Sequence, residues 1–525
     1  MGVYVLRTPS VVEDACPHMA TTSRRAKKTV SALEPVAAQP KGALRVLHVA
    51  SEVSPFIKSG GLADVAHALP DALRRLGHDA RVCLPCYRRV YVEAEKRGVK
   101  WLSTPMVIES GGVDHRVGIG EVMLDGLPVY VLACNELYDR DGLYGPSQAQ
   151  EYEDNARRFS VLAKAALALP GAIGWTPHII HAHDWQTGLV PVLLERGFCK
   201  ALPATRSVFT IHNIAFQGAF PGHDMRLAGL DPWLFNPMHC EHFGRFNMLK
   251  TGIAFADRVT TVSKRYAEEI QAPEFGWTLD AVIRHHGYKV SGITNGIDTQ
   301  CWNPASDPDI VAHYDVEDLA GKAACRRALR DECGLAKRDD VCLVALVSRL
   351  TEQKGIDLVI DAVSPYIIAG RMQLAVLGSG DLHLENRLNA LQARHPGWVY
   401  AWYGHNEGLA HRFVAGADAF LVPSRFEPCG LTQMYAMRYG TLPIVRYTGG
   451  LADTVTDVST GAGTGFTFGP IDIGHFSAVL DRALGLHQHF PAEWAAAQRR
   501  AMSTDFSWDH AGRSYEALYR GMTWA

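Results

Sequence analysis

Apolar residues recur along this chain in two rhythms. Leu44–Ser51 is a short Val-rich run, the pattern of a strand buried on both faces, and a Gly60–Gly61 loop follows it. Leu62, Val65, Ala66, Leu69, Leu73 and Leu76 then repeat every three or four residues, which gives a helix one apolar face. Pro70 is placed to kink that helix and Gly77 to stop it. A second apolar run, Ala80–Leu84, completes a strand–helix–strand unit. The alternation resumes after His178, with apolar runs at Ile179–His183 and Ser207–Ile211 that end in polar residues. It starts afresh at Val341–Val347 and continues through Gln373–Leu377 and Ala419–Val422, each followed by a Gly- or Pro-containing loop and a helical pattern. The pattern predicts an α/β protein of two doubly wound domains, divided near residues 302–315, where Pro304 and Pro308 interrupt any helix.

Size agrees with this division, since 525 residues are too many for one hydrophobic core. The formal charge of −3 gives no polybasic face, so neither a nucleic acid nor an anionic membrane is the expected partner; a small molecule or a neutral polymer is. No apolar run is long enough to cross a bilayer and no secretory layout opens the chain, which predicts an intracellular protein. The 11 cysteines, odd in number and scattered through apolar segments, suit reduced buried thiols. Cys83 and Cys86 close an apolar run with no second pair near them, so strand-end packing is expected in place of a zinc or redox site. Residues 1–42 carry a basic, Ser/Thr/Ala-rich stretch without hydrophobic periodicity and read as a disordered leader. Arg24, Arg25, Lys27 and Lys28 among Ser and Thr leave a transit peptide as the alternative, with a plastid location, and Met19 is an alternative start.

The candidate chemistry lies at the ends of the predicted strands, where open α/β sheets bind ligands. The dinucleotide fingerprint Gly-x-Gly-x-x-Gly, the phosphate loop ending in Gly-Lys-Ser/Thr, His-Glu-x-x-His and Gly-x-Ser-x-Gly are all missing. Lys58-Ser-Gly-Gly61 puts a cation beside a flexible loop and a helix start, an arrangement suited to a phosphate or to a plain turn. Arg349 and Lys354, on the loop directly after Val341–Val347, would set two positive charges where a diphosphate leaving group develops charge. In Pro423–Gln433 a carboxylate, Glu427, stands between a strand and a helix start bearing Gly430 and Thr432, so it can bind sugar hydroxyls or merely cap the helix. His181, His183 and Asp184, with His212 and Asn213, end adjacent strands; their spacing is not that of metal ligands, and sugar contacts or strand-end hydrogen bonds are expected. Ser59-Gly-Gly-Leu-Ala-Asp64 is echoed by Thr448-Gly-Gly-Leu-Ala-Asp453, which predicts an anion-friendly loop in each half, both facing one cleft.

Lys58-Ser-Gly-Gly-Leu-Ala-Asp64, His181-Ala-His-Asp-Trp185, Thr210-Ile-His-Asn213, Asn295-Gly-Ile-Asp298, Ser348-Arg-Leu-Thr-x-Gln-Lys-Gly355, Pro423-Ser-Arg-Phe-Glu-Pro-Cys-Gly430 and Thr448-Gly-Gly450 stand in one order. In that order they resemble the glycogen and starch synthases of the bacterial and plant type, from about Leu44 to the C-terminus. The resemblance implies a GT-B fold, two Rossmann-like domains facing across a cleft. It implies an N-terminal acceptor-side domain at 43–301, a nucleotide-sugar domain at 316–505 and a C-terminal helix, 506–525, crossing back to the first. It further implies a cytoplasmic, metal-independent and cofactor-free retaining transfer of glucose from ADP-glucose to an α-1,4-glucan.

Carried over residue by residue, the resemblance makes Lys58, Arg349 and Lys354 the groups that hold the donor diphosphate, with the Gly60–Gly61 backbone beside Lys58. Glu427 becomes the carboxylate at the donor glucose, and the backbone of Cys429, Gly430, Leu431 and Thr432 lies at the phosphate. His212 has its carbonyl and ring beside the transferred glucose, with Asp184, Asn213 and Asn295 as polar neighbours. Asp64, Tyr144, His183 and His405 are looser candidates for the cleft wall. The chain departs from the family pattern at Ser59, where Thr is usual, and at Gly404-His-Asn-Glu407, where an aromatic residue commonly lies beside the base. Tyr435 stands where many retaining GT-B enzymes have a second Glu. A sucrose- or trehalose-type synthase, a phosphorylase carrying pyridoxal phosphate and a non-catalytic glucan-binding scaffold are the competing readings.

Overall fold

The structure, a computed structural model, describes residues 42–147 and 150–523; residues 1–41, where the leader is expected, lie outside them. Two large sheets carry the described fold, with a third of three short strands, Glu241–His242, Arg245–Asn247 and Ala219–Pro221. The first runs in the order Val290–Gly292, Arg258–Thr261, Arg206–Ile211, Ile179–His183, Arg45–Val49, Asp79–Pro85, Leu127–Ala133, Val113–Leu124 and Lys100–Trp101, with Met106–Ser110 paired to Val113–Leu124 off this path. Its first seven strands are parallel and Val113–Leu124 turns antiparallel. The second sheet, Val399–Tyr403, Met372–Gly378, Cys342–Val347, Ala419–Val422, Leu442–Arg446 and Phe466–Phe468, is parallel throughout. The central strands are buried along their length, as continuous apolar runs require when helices cover both faces. The first helix spans Gly61–Arg75, with Pro70 inside it and Gly77 in a left-handed conformation just past its end.

Each large sheet reverses its direction of growth once. In the first, the chain builds outward from Arg45–Val49 to Asp79–Pro85 and Leu127–Ala133, then returns to add Ile179–His183 on the other side. In the second, Cys342–Val347 is followed outward by Met372–Gly378 and Val399–Tyr403, and Ala419–Val422 then adds on the opposite flank. At such a switch point the loops leaving the two strands diverge and open a crevice at the carboxyl ends. The loop 50–60 and Asp184 flank the first crevice; the loops 348–355 and 423–430 flank the second.

Each of these two sheets has its own core, and a third apolar cluster packs the last described helix against the first. In that third cluster the final helix, Trp508–Thr523, lies on the first helix, with Trp508, Ala511, Tyr515 and Tyr519 buried against Val65, Leu69, Ala72 and Leu73. Residues 302–315, the expected divide, form neither helix nor strand but are tied to the second core. Trp302 stacks between His411 and Tyr435 at 3.8 and 3.9 Å, and Ile310 and Tyr314 are buried. The covalent crossings between the two sheets therefore lie side by side at Ile297, whose N–H donates to the Phe506 carbonyl at 2.8 Å.

Candidate functional site

At the second crevice a cavity of about 190 Å³ is lined by Ser348, Arg349, Lys354, Ser424, Glu427 and Gly430–Thr432 over the apolar floor of the strand ends. Adjacent strands supply it, so residues 73 apart in the chain meet: Lys354 Nζ donates to Glu427 Oε2 at 2.5 Å, and Ser424 Oγ donates to the same oxygen at 2.9 Å. Glu427 is nearly buried, whereas Arg349 is exposed on the cavity rim. A buried carboxylate held by one cation and one hydroxyl keeps its other oxygen for a ligand hydroxyl, and the rim adds a second positive charge. Thr432 begins the helix Thr432–Arg438, and Cys429 is buried behind the cavity. The Asn295 backbone N–H donates to the Cys429 sulfur, and burial pushes that thiol up to about 12; the Asn295 side-chain oxygen is buried without a partner among the described residues.

A second group gathers at the carboxyl ends of the first sheet. Asp184 sits directly after the strand Ile179–His183 with φ 59°, and its Oδ1 accepts the His212 N–H at 2.7 Å. Burial pushes the Asp184 carboxyl up to about 7, opposed by backbone N–H groups of His212 and Asn213. Burial likewise pushes His212 down to about 3, so its ring is neutral at neutral pH. The Asn213 side chain accepts from the Ala215 N–H and fixes the turn that follows. His183, a candidate for the cleft wall, is instead fully buried behind His212, their Nδ1 and Nε2 atoms 3.0 Å apart: it is an inward-facing strand residue, whereas His212 lies just past its strand.

The Lys58 loop lies on the same side of the first sheet. Lys58 is exposed and pairs with Asp64 at 2.8 Å; burial raises the Asp64 carboxyl above the usual range against the pull of Lys58. Neither residue lines the second-sheet cavity, and nor does His405, exposed in the loop after Val399–Tyr403. Tyr144 donates to Glu52 and lies 2.9 Å from Ser51 Oγ. Glu52 escaped the sequence reading, yet it organises the loop: nearly buried, it accepts the Ser59 N–H at 2.5 Å and the Ser59 hydroxyl at 2.6 Å. Its signal was the one used for Asp184, a polar residue just past a strand. Ser424 was missed as well, and its only mark was nearness to Glu427.

The two groups are joined by packing. The segment carrying Glu427 rests on the first sheet's side through Ser263 Oγ, which donates to the Pro428 carbonyl at 2.5 Å, and through Trp277, whose ring meets Phe426 edge-on at 6.1 Å. Tyr435 is stacked flat on Trp302, so the position of a second Glu in related folds is here a packing residue.

Comparison with known proteins agrees over nearly the whole described chain. Residues 45–285 match the profile of the starch synthase catalytic domain, and residues 331–500 that of glycosyl transferases group 1. A glycogen synthase of Anaeromyxobacter sp. (strain Fw109-5) is 46% identical over 489 residues, covering 91% of this chain and 99% of the relative. One from Syntrophotalea carbinolica is 43% identical, covering 91% and 98%. Among solved structures, the catalytic domain of starch synthase IV from Arabidopsis thaliana, bound to ADP and acarbose, superimposes with a TM-score of 0.83 at 35% identity, covering 92% of this chain and 99% of that one. A sucrose-phosphate synthase from Thermosynechococcus elongatus, at 18% identity and a TM-score of 0.55, shares the fold.

Proposed function

This chain belongs to the family of glycogen and starch synthases, a GT-B glycosyltransferase family, and on that premise we propose that it transfers glucose from ADP-glucose to the non-reducing end of an α-1,4-glucan with retention. The observation that carries the reading is the cavity in which Lys354, Arg349 and Glu427 converge at a switch point. In this reading Arg349 and Lys354 hold the diphosphate and stabilise the charge it gains as the glycosidic bond breaks. Glu427 binds hydroxyls of the donor glucose, and its bond to Lys354 keeps the cation beside the phosphate. His212 and Asp184 approach from the first sheet, where the neutral imidazole and the His212 carbonyl line the sugar, and Lys58 reaches the diphosphate when the cleft narrows. The halves 43–301 and 316–505 then serve acceptor and donor, and expulsion of water between them protects the transferring glucosyl group from hydrolysis. A cytoplasmic location accompanies this reading; among the described residues no helix is long and apolar enough to cross a membrane.

A donor screen tests the reading: purified protein with glycogen primer should release ADP from ADP-glucose much faster than UDP or GDP from the other donors. Equal or better use of UDP-glucose would move the assignment to another nucleotide-sugar transferase, and no release from any donor would leave a binding scaffold. Activity should survive EDTA, because Lys58, Arg349 and Lys354 supply the positive charge that a divalent ion supplies elsewhere. Loss on chelation, restored by added Mg²⁺, contradicts this part of the proposal.

A further inference from the structure

Two buried histidines, His48 and His183, take no direct part in that chemistry, yet they stand in line with His212. His48 Nδ1 lies 3.2 Å from His183 Nε2, and His183 Nδ1 lies 3.0 Å from His212 Nε2. Both inner rings are completely buried, and His48 Nε2 has no hydrogen-bond partner among the described residues. Burial holds all three rings neutral, with His48 and His212 pushed down to about 3 and His183 well below the usual range. A neutral imidazole has one N–H and one lone pair, so each hydrogen bond in the line fixes the next proton.

The line starts at the orphaned atom. A buried N–H without an acceptor is costlier and rarer than a buried lone pair without a donor, so the His48 proton belongs on Nδ1 and is donated to His183 Nε2. His183 must then carry its proton on Nδ1 and donate it to His212 Nε2. The His212 proton is thereby left on Nδ1, to which no hydrogen bond within the described residues reaches, on a ring that is only partly buried. The neighbouring His181 does not compete, because its two nitrogens meet Tyr519 and Thr210 at 2.7 and 2.6 Å; its ring stacks on His183 at 4.2 Å and steadies the plane of that ring.

We propose that His48 is a positioning residue that acts through His183 to lock His212 as its Nδ1–H tautomer, so that His212 presents a sugar oxygen with a neutral N–H donor. The proposal rests on the reading that His212 lies beside the transferred glucose. Without the lock, His183 and His212 can reverse both protons together, and the cleft then meets a lone pair where it needs a donor.

The test is made on ligand-free protein labelled with ¹⁵N-histidine, with the His212 signals identified by their loss in His212→Gln. Two-bond ¹H–¹⁵N correlations should show His212, His183 and His48 all protonated at Nδ1. His48→Phe keeps a ring but removes the donor, and should mix the His212 tautomers and lower kcat by about twofold or more, in proportion to the fraction of the Nδ1–H form that is lost. His48→Asn, whose amide nitrogen falls near the Nδ1 position, should restore both the single tautomer and most of kcat. An Nε2–H His212 in the wild-type protein overturns the proposal, as does a His48→Phe protein with an unmixed tautomer and full kcat. If His48→Phe does not fold, the wild-type spectrum and the asparagine variant still decide. Because the spectra need no substrate, a failed donor screen and a failed relay are separate results.

Discussion

The two copies of the Gly-Gly-Leu-Ala-Asp sequence fold into helix starts and then part company. At Ser59–Asp64 the glycines are exposed, and a Cβ built on Gly60 or Gly61 meets nothing within 4 Å. At Thr448–Asp453 they are buried: a Cβ on Gly449 would sit 1.9 Å from the Glu427 carbonyl oxygen, and one on Gly450 would sit 2.1 Å from that of Cys429. Both loops are tied alike, by a carboxylate that accepts a backbone N–H and a hydroxyl, local to the first loop and distant in sequence from the second. Glu52 does this for Ser59; Glu269, from the first sheet's side, does it for Thr448 and Gly449 at 3.0 to 3.2 Å. Arg265 N–H donates to Asp453 at 2.9 Å, so the second loop is also a joint between the halves. The expectation that both loops offer free N–H groups to a shared cleft is therefore corrected for the second, where the Gly449 N–H is spent on Glu269 and the Gly450 N–H on the Glu427 carbonyl, and where the glycines form the shelf under Glu427. One sequence thus serves as an open edge in one place and as a close-packed support in the other.

Gly449→Ala should disturb the close-packed loop most. With φ +45° and the Glu427 carbonyl in the way, the methyl should cost about 3 kcal/mol or more and remove activity as the shelf shifts. An alanine variant with wild-type Tm and turnover ends the idea of a shelf. Glu427→Ala separates support from chemistry: it should leave the melting temperature near that of the wild type while kcat falls about a hundredfold or more, since the sugar loses its anchor. A well-folded Glu427→Ala enzyme of normal activity would falsify the role of that carboxylate.

Glu269→Ala strips the buried N–H of Gly449 and the Thr448 hydroxyl of their acceptor and should cost about 2 kcal/mol, read as a lower denaturation midpoint with little change in primer KM. If the midpoint does not move, the joint is not held by this carboxylate. The smallest effect belongs to Gly61→Ala. Stability should stay level or rise by about 0.5 kcal/mol, as for any exposed glycine in a helix, while the KM for ADP-glucose rises about tenfold if the diphosphate approaches this backbone. A KM unchanged by the methyl would make the first loop a simple turn.

The strands were legible because burial on both faces leaves a continuous apolar run that no solvent-facing segment imitates; Ile179–His183 and Ala419–Val422 match the expected limits residue for residue. Glu427, Lys354 and Arg349 were legible as strand-end polar groups, and their meeting in one cavity follows from the neighbourhood of Cys342–Val347 and Ala419–Val422 in the sheet. Less legible was the stretch 302–315. Its prolines announce irregular backbone, but the stacking of Trp302 on His411 and Tyr435 depends on residues more than a hundred positions away.

Local sequence therefore determined which segments become strand, helix or turn and which polar residues stand at strand ends, because periodicity and backbone preference act within a few residues. Tertiary structure alone decided what each strand end faces. It brought Glu269 to Gly449, set His48 and His183 behind His212, and made one Gly-Gly pair open and the other packed. Those outcomes depend on desolvation and on partners from distant strands, and no window of neighbouring residues contains either.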